Sequence, residues 1–226
     1  MKTMTSHVLP CDHPAGRLLE RLFCRSSLID NEAAFLAAGF EIRRKQRRSL
    51  MRVATHPMLA GYVFKVFFVD EREREREKSR GWKGFVARCN RAERIRQVIQ
   101  DHRIQHFKVP RKWLFRVPHH PSCGPDDQPT ILVAEFQDLL SQDESEHAWL
   151  HSVTESHLDE LRAIINRAGG TSYRPNNIPL TRQGWFAFID TEHSNDQHDY
   201  ESIAPYLSCQ MREYWSNLIP RAERNV

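Results

Sequence analysis

Residues 61–70, GYVFKVFFVD, carry the clearest strand signal in the first half of the chain. Valine and phenylalanine, which favour extended backbone, fill most of the segment, and one lysine, Lys65, stands among them. A second apolar run, TILVAEFQDLL at residues 130–140, predicts a buried strand. Strand signals dominate residues 40–140, and helical periodicity dominates the residues that follow. This segregation predicts an α+β protein with a sheet-rich part and a helical part.

Helical periodicity is strongest in three later segments. Residues 81–102 form an amphipathic pattern with Ala92 and Ile95 on one face, and Glu93 lies beside that face. Residues 156–170 repeat the pattern and end at a glycine pair. Residues 200–219 predict a last helix with a kink before Pro205.

Composition places the chain among ordinary globular proteins. Its 226 residues are 40% hydrophobic and 27% charged, which suits one domain or one domain of two lobes. No apolar run reaches 18 residues, and the first residues lack the pattern of a secretory signal, so we expect a cytoplasmic protein without a membrane span. Secretion by a route that needs no signal is left open. Five scattered cysteines predict no disulfide framework.

Charge is concentrated in two segments. Residues 41–52 hold six basic residues against one acid, a pattern that could meet nucleic-acid phosphates. The segment lacks the interleaved aromatic residues of a single-strand binding surface, so we favour a solvated strand or loop over nucleic-acid binding. Residues 70–80 alternate five acids with five bases and predict an exposed connection.

The stretch TSYRPNNI at residues 171–178 carries a family resemblance. Pro175, Asn177 and Ile178 match the end of the catalytic loop of the protein-kinase-like superfamily, and Asp190 follows Asn177 by thirteen residues, the separation usual in that family. FIDTE is similar to the Ile-Asp-x-Glu motif of choline-kinase-like and aminoglycoside-kinase-like enzymes. Over residues 40–192 the chain thus resembles this superfamily, in particular atypical or pseudokinase-like bacterial proteins.

The resemblance implies a particular architecture. It is a two-lobed protein-kinase-like fold, with a sheet-rich N-lobe at residues 40–137 and a helical C-lobe at residues 138–226. A helical extension, residues 1–39, would precede it. Because 34 residues follow Glu192, we expect a reduced C-lobe.

The resemblance also implies a ligand, ATP with Mg²⁺, in the cleft between the lobes. Phosphoryl transfer requires a cation on the phosphates and oxygen ligands for the metal. In this interpretation Lys65 contacts the phosphates and Glu93 holds the lysine. The backbone of three residues after the buried strand would bind adenine: Glu135, Phe136 and Gln137. Three polar side chains would hold the metal: Asn177, Asp190 and Glu192.

Two departures bear on catalysis. Ser172 stands at the position of the family's catalytic aspartate, and a serine is no general base at neutral pH without an activator. No Gly-x-Gly-x-x-Gly loop precedes Lys65. Two functions therefore stay open: an atypical ATP-dependent phosphotransferase, and a non-catalytic pseudokinase that binds a protein partner and nucleotide.

Each assignment has a simpler alternative. Lys65 could extend into solvent from an edge strand, and Glu93 could be an exposed helix carboxylate. Asn176 and Asn177 could form an ordinary turn. Zinc sites at residues 11–24 or 119–123 would lack zinc-finger spacing, and His193 and His198 are a further metal alternative.

Overall fold

The computed structural model of the chain describes residues 7–24, 26–29, 32–45, 51–68, 81–118, 129–191 and 198–219. These residues form a mixed α+β structure with six α-helices, a five-stranded antiparallel sheet and a two-stranded sheet. The strands are β1 Glu41–Lys45, β2 Met51–Thr55, β3 Tyr62–Phe67, β4 Phe107–Lys108, β5 Lys112–Arg116, β6 Thr130–Glu135 and β7 Phe186–Ala187. The helices are α1 Gly16–Phe23, α2 Glu32–Ala37, α3 Gly81–Asp101, α4 Gln142–His151, α5 Glu155–Ala168 and α6 Cys209–Leu218.

The chain divides into two compact units. Unit 1 contains Met1–Val86 and Lys112–Phe136, and unit 2 contains Ala87–Arg111 and Gln137–Val226. The chain thus passes from unit 1 to unit 2 between Phe136 and Gln137, directly after the buried strand β6.

The sheet of unit 1 has the order β1-β2-β3-β6-β5, and every neighbouring pair is antiparallel. One face packs against the helices formed by the first forty residues. Phe35 of α2 stacks on Phe40 with ring centroids 4.0 Å apart, and Phe40 meets Phe64 of β3 edge to face at 5.4 Å. Such aromatic pairs supply much of the apolar area that a small core needs.

Unit 2 has its own core around helices α4, α5 and α6. Trp149 of α4 is fully buried, and its indole N–H donates to the Ile178 carbonyl at 2.9 Å. Trp215 of α6 is 1% exposed and donates in the same way to the Tyr200 carbonyl. Both indoles therefore satisfy their one donor while burying large apolar rings, as buried tryptophans do. The short strands β4 and β7 pair in parallel beside this core.

The structure bears out most of the predicted elements and corrects the last one. β3, β6 and α3 lie within the predicted segments, and α5 begins at Glu155, one residue before its predicted segment. Residues 200–219 do not form one kinked helix. A 3-10 turn, Ala204–Tyr206, begins near Pro205, and α6 starts only at Cys209, where the Ser208 hydroxyl accepts the Met211 N–H. Leu207 is extended, since the chain must leave helical geometry before a new N-cap can form.

No helix among the described residues is long and apolar enough to cross a membrane. The predicted connection at residues 70–80 lies outside the described residues, and so do residues 121–128 of the segment PSCGPDDQP, which the sequence predicts as a turn between two strands.

His157 gives unit 2 a pH dependence. Its ring caps α5 by accepting the Thr154 N–H at Nδ1, and it lies 3.9 Å from the His106 ring, centroid to centroid. Burial, and then the charge of His106, lower the pKa of His157 from 6.5 to about 4, although Glu160 acts in the opposite direction. The unfolded chain therefore binds this proton more readily than the folded protein does.

We predict that the free energy of unfolding falls as the pH drops from about 6.5 towards 4. His157→Gln should flatten this slope by about 1 kcal/mol, a value reduced for solvent screening, because glutamine keeps an N3 capping group without a titrating proton. Urea unfolding of both proteins at several pH values measures the slope. His151→Gln, an exposed histidine of α4, is the control and should leave the slope unchanged. An unaltered slope in His157→Gln would contradict the assignment.

Candidate functional site

Lys65 lies in the middle of the sheet of unit 1. It is 8% exposed, with Val53 of β2 and Leu132 of β6 directly opposite it. Side chains alternate along a strand, so Lys65 lies on the face opposite Phe64 and the aromatic core. Since β3 has strands on both sides, Lys65 does not extend from a sheet edge. The edge-strand alternative is therefore wrong.

A second buried lysine, Lys112, shares this face. It is 6% exposed and lies opposite Ala134 of β6, and Ala134 in turn lies opposite Val63 of β3. Residues directly opposite one another share a face, which places Lys112 on the same side of the sheet as Lys65, two strands away. Sequence analysis missed Lys112, although its position at the head of the apolar strand KWLFR was a usable signal.

Residues 135–137, which are expected to bind adenine, partly form hydrogen bonds with the sheet instead. Glu135 ends β6 opposite Tyr62, and the Phe136 N–H donates to the Gly61 carbonyl at 2.8 Å. This bond removes the Phe136 N–H from the donors that an adenine could use. The Phe136 side chain is 45% exposed.

In unit 2 the structure brings Asn177 and Asp190 together. The chain turns back after Thr181 in a tight hairpin that includes Gly184, so residues 186–190 return to the loop they left. The Asn177 carbonyl accepts the Ile189 N–H at 3.1 Å and lies 3.5 Å from the Asp190 N. The Asn177 amide Nδ2 donates to the Ser172 carbonyl at 2.8 Å. Asn177 therefore forms hydrogen bonds with both Ser172 and Ile189, and is more than an isolated turn residue.

Arg88 of α3 is a direct charge partner of Asp190. Its side chain is 3% exposed, and Nη1 lies 3.6 Å from the Asp190 Oδ1, an atom buried although the side chain is 21% exposed. The adjacent Thr191 hydroxyl donates to the Arg88 carbonyl at 2.7 Å. Sequence analysis missed Arg88. Its spacing from Ala92 and Ile95 on the apolar face of α3 was the signal, since a cation there requires a buried partner.

A second buried arginine, Arg91, approaches the loop that precedes Asn177. It is 3% exposed, and its guanidinium lies 5.1 Å from the centre of the Tyr173 ring. Gly170 has a φ of +109°, and a Cβ built there would lie 2.0 Å from the Arg91 Cζ. Only glycine fits this position. The Tyr173 hydroxyl donates to the Gly169 carbonyl, and burial raises the pKa of Tyr173.

Ser172 adopts left-handed backbone geometry, with a φ of +66°. A serine in this region is uncommon and must be held by its surroundings. Its N–H donates to the Asp199 Oδ2 at 2.7 Å, and its carbonyl accepts from Asn177 as described. Among the described residues, none forms a hydrogen bond with the Ser172 hydroxyl.

Glu93 forms an ion pair along α3. Its Oε2 lies 2.6 Å from the Arg96 Nη1, and its side chain is 45% exposed. The predicted pairing of Glu93 with Lys65 stays a prediction. Glu192 and His193 lie outside the described residues. Within the described ranges, no group of three His, Cys, Asp or Glu residues could hold a metal.

No protein-family model matches the sequence, and no curated protein is significantly similar to it.

We predict that Gly170→Ala lowers the free energy of unfolding by about 3 kcal/mol, because the methyl group meets Arg91 and the backbone is strained. Gly184→Ala is the matched control, since Gly184 also has a positive φ, +89°, but no atom within 4 Å of its Cβ position. That variant should lose about 1 kcal/mol. Urea denaturation compares the two, and equal losses would contradict the close approach of Arg91 to the loop.

Proposed function

We propose that the protein is a kinase-like nucleotide-binding protein that binds ATP together with Mg²⁺. Lys65 would contact the phosphates, with Glu93 as its expected partner, and Asn177 and Asp190 would hold the metal. Glu135 and Gln137 would offer backbone groups to adenine. The proposal covers binding, and two lines of structural evidence support it, one in each unit.

In unit 1, the strands follow the order expected from the family resemblance. The strand that carries the lysine, β3, precedes β5 and β6, and the long helix between them, α3, lies mostly in unit 2. β3 and β6 are direct neighbours, so the lysine strand pairs with the strand that leads to residues 135–137. Lysine is costly to bury, and one on a central strand is typical of a functional cation.

In unit 2, the juxtaposition of Asn177 and Asp190 is the observation that carries the proposal. Thirteen residues separate them in sequence, yet the Asn177 carbonyl binds the backbone next to Asp190. Because the Ser172 carbonyl can only accept, the Asn177 atom facing it is Nδ2, and Oδ1 is the atom left for a ligand.

These donors fit Mg²⁺, which binds oxygen ligands and commonly takes one or two carboxylates with substrate phosphates. When bound, the metal would neutralise charge on the phosphates. Arg88 already balances the Asp190 carboxylate at 3.6 Å. We therefore expect weak metal binding to the protein alone and tighter binding when nucleotide phosphates accompany the metal.

Ser172 bears on whether the protein is an atypical phosphotransferase or a non-catalytic nucleotide-binding protein. With serine in place of the family's aspartate, this position has no carboxylate of its own to act as a base. A non-catalytic protein that binds nucleotide and a protein partner is therefore the second candidate. Chemistry would require a carboxylate from elsewhere in the chain.

We predict that 1 mM ATP with Mg²⁺ raises the melting temperature of the wild-type protein, since a ligand that binds only the folded state stabilises it. Lys65→Met should give a smaller shift, because a phosphate contact is lost. The smaller shift should correspond to an apparent affinity for ATP at least tenfold lower than that of the wild type. Lys112→Met is the matched control, being equally buried on the same sheet face, and should keep the shift. If neither wild type nor Lys112→Met responds to ATP, the nucleotide proposal fails.

We predict that Asp190→Asn removes the dependence of this shift on Mg²⁺, so that ATP alone and ATP with Mg²⁺ give the same melting temperature. The unliganded variant should also be less stable by about 3 kcal/mol, because the buried Arg88 loses its carboxylate. Asp138→Asn, which changes an exposed carboxylate of unit 2, is the control and should retain the metal dependence. Retained metal dependence in Asp190→Asn would contradict the ligand assignment.

A further inference from the structure

We infer that Asp199 supplies the carboxylate that the chain lacks at Ser172, and thus acts as the catalytic base of a phosphotransferase. This inference rests on the proposed nucleotide binding and extends it from binding to chemistry. Nothing in the sequence near residue 172 indicates Asp199, which lies 27 positions further along the chain.

The position of Asp199 is fixed by several hydrogen bonds between two segments of unit 2. The Asp199 N–H donates to the Gly170 carbonyl at 3.2 Å, and residues 170 and 198 form a parallel bridge. The Ser202 hydroxyl donates to the Tyr173 carbonyl at 3.2 Å. The segment that carries Asp199 is thereby joined to the loop that carries Ser172.

The carboxylate itself is oriented at both oxygens. Oδ2 accepts the Ser172 N–H at 2.7 Å, and Oδ1 accepts the Ser202 N–H at 3.0 Å. Each carboxylate oxygen has a second lone pair, so both can still accept a hydrogen bond from a hydroxyl. Asp199 is partly exposed and is therefore accessible to a substrate.

The same loop connects Asp199 to the candidate metal ligands. Ser172 donates its N–H to Asp199 and accepts at its carbonyl from Asn177, whose own carbonyl accepts the Ile189 N–H beside Asp190. One residue with left-handed geometry thus links the carboxylate to the Asn177 and Asp190 pair. Backbone strain of this kind persists only where the surroundings maintain it.

The reaction would transfer the γ-phosphoryl group of ATP to an acceptor hydroxyl. The acceptor oxygen forms a bond to the γ-phosphorus, and the bond from that phosphorus to the β–γ bridging oxygen breaks. ADP leaves with the electron pair of the broken bond, and the acceptor proton passes to an Asp199 carboxylate oxygen. With water as the acceptor, the products are ADP and inorganic phosphate, and Asp199 then releases the proton to solvent.

The test measures ADP formation from Mg·ATP, with water as the acceptor, alongside the melting-temperature shift caused by Mg·ATP. Asp199→Asn should lower the rate about 100-fold, a typical contribution of a positioned base, while the shift persists. Asp199→Ser is a second variant, because a serine hydroxyl also accepts backbone N–H groups. Asp138→Asn makes the same change at an exposed carboxylate of unit 2 outside this loop, and should stay within threefold of the wild-type rate.

A rescue experiment distinguishes chemistry from structure. Ser172→Asp in the Asp199→Asn background returns a carboxylate to the loop, and aspartate tolerates left-handed backbone better than serine. We expect the rate of this double variant to be at least tenfold higher than that of Asp199→Asn alone. A wild-type rate in Asp199→Asn or Asp199→Ser would overturn the inference.

Two further outcomes have separate meanings. A wild-type protein that forms no ADP but still shows the Mg·ATP shift overturns the role of Asp199 and leaves nucleotide binding intact. A wild-type protein that shows no shift overturns both.

Discussion

Two buried arginines on one helix, Arg88 and Arg91 of α3, hold the candidate site of unit 2 together. A buried guanidinium destabilises the fold unless it contacts an anion or the face of an aromatic ring. Arg88 forms an ion pair with Asp190, and Arg91 lies against the Tyr173 ring. Position 170, against which the Arg91 guanidinium packs, has a φ of +109° that favours glycine. The loop shape, and with it the geometry of Ser172, therefore depends on the helix.

In this arrangement the candidate metal ligand, Asp190, already forms an ion pair with Arg88. The same carboxylate that would coordinate Mg²⁺ already balances a buried cation, so under the proposal a metal without phosphates would gain little at Asp190. Nucleotide phosphates would bring additional negative charge and favour the metal and Arg88 together. The proposed site would therefore favour a Mg–nucleotide complex over a free divalent ion.

Local patterns in the sequence were sufficient for β3, β6, α3 and α5, because their apolar periodicity agrees with their burial in the fold. Residues 200–219 were not predictable in this way, since Pro205 and the cap at Ser208 divide an apolar pattern that looks continuous. Lys65, Asn177 and Asp190 were indicated by the family resemblance, and their role in binding stays a prediction. Arg88 and Asp199 could not, because their roles arise from contacts with Asp190 and Ser172, each formed only when distant segments fold together.

The central claim is that Asn177 and Asp190 bind one metal ion together with nucleotide. A crystal structure with Mn²⁺ and a non-hydrolysable ATP analogue tests it most directly, because manganese is located by its anomalous signal. The account predicts a single anomalous peak about 2–2.5 Å from both the Asn177 Oδ1 and an Asp190 carboxylate oxygen. Ordered nucleotide with no peak beside these two side chains, or a peak bound elsewhere, would contradict it.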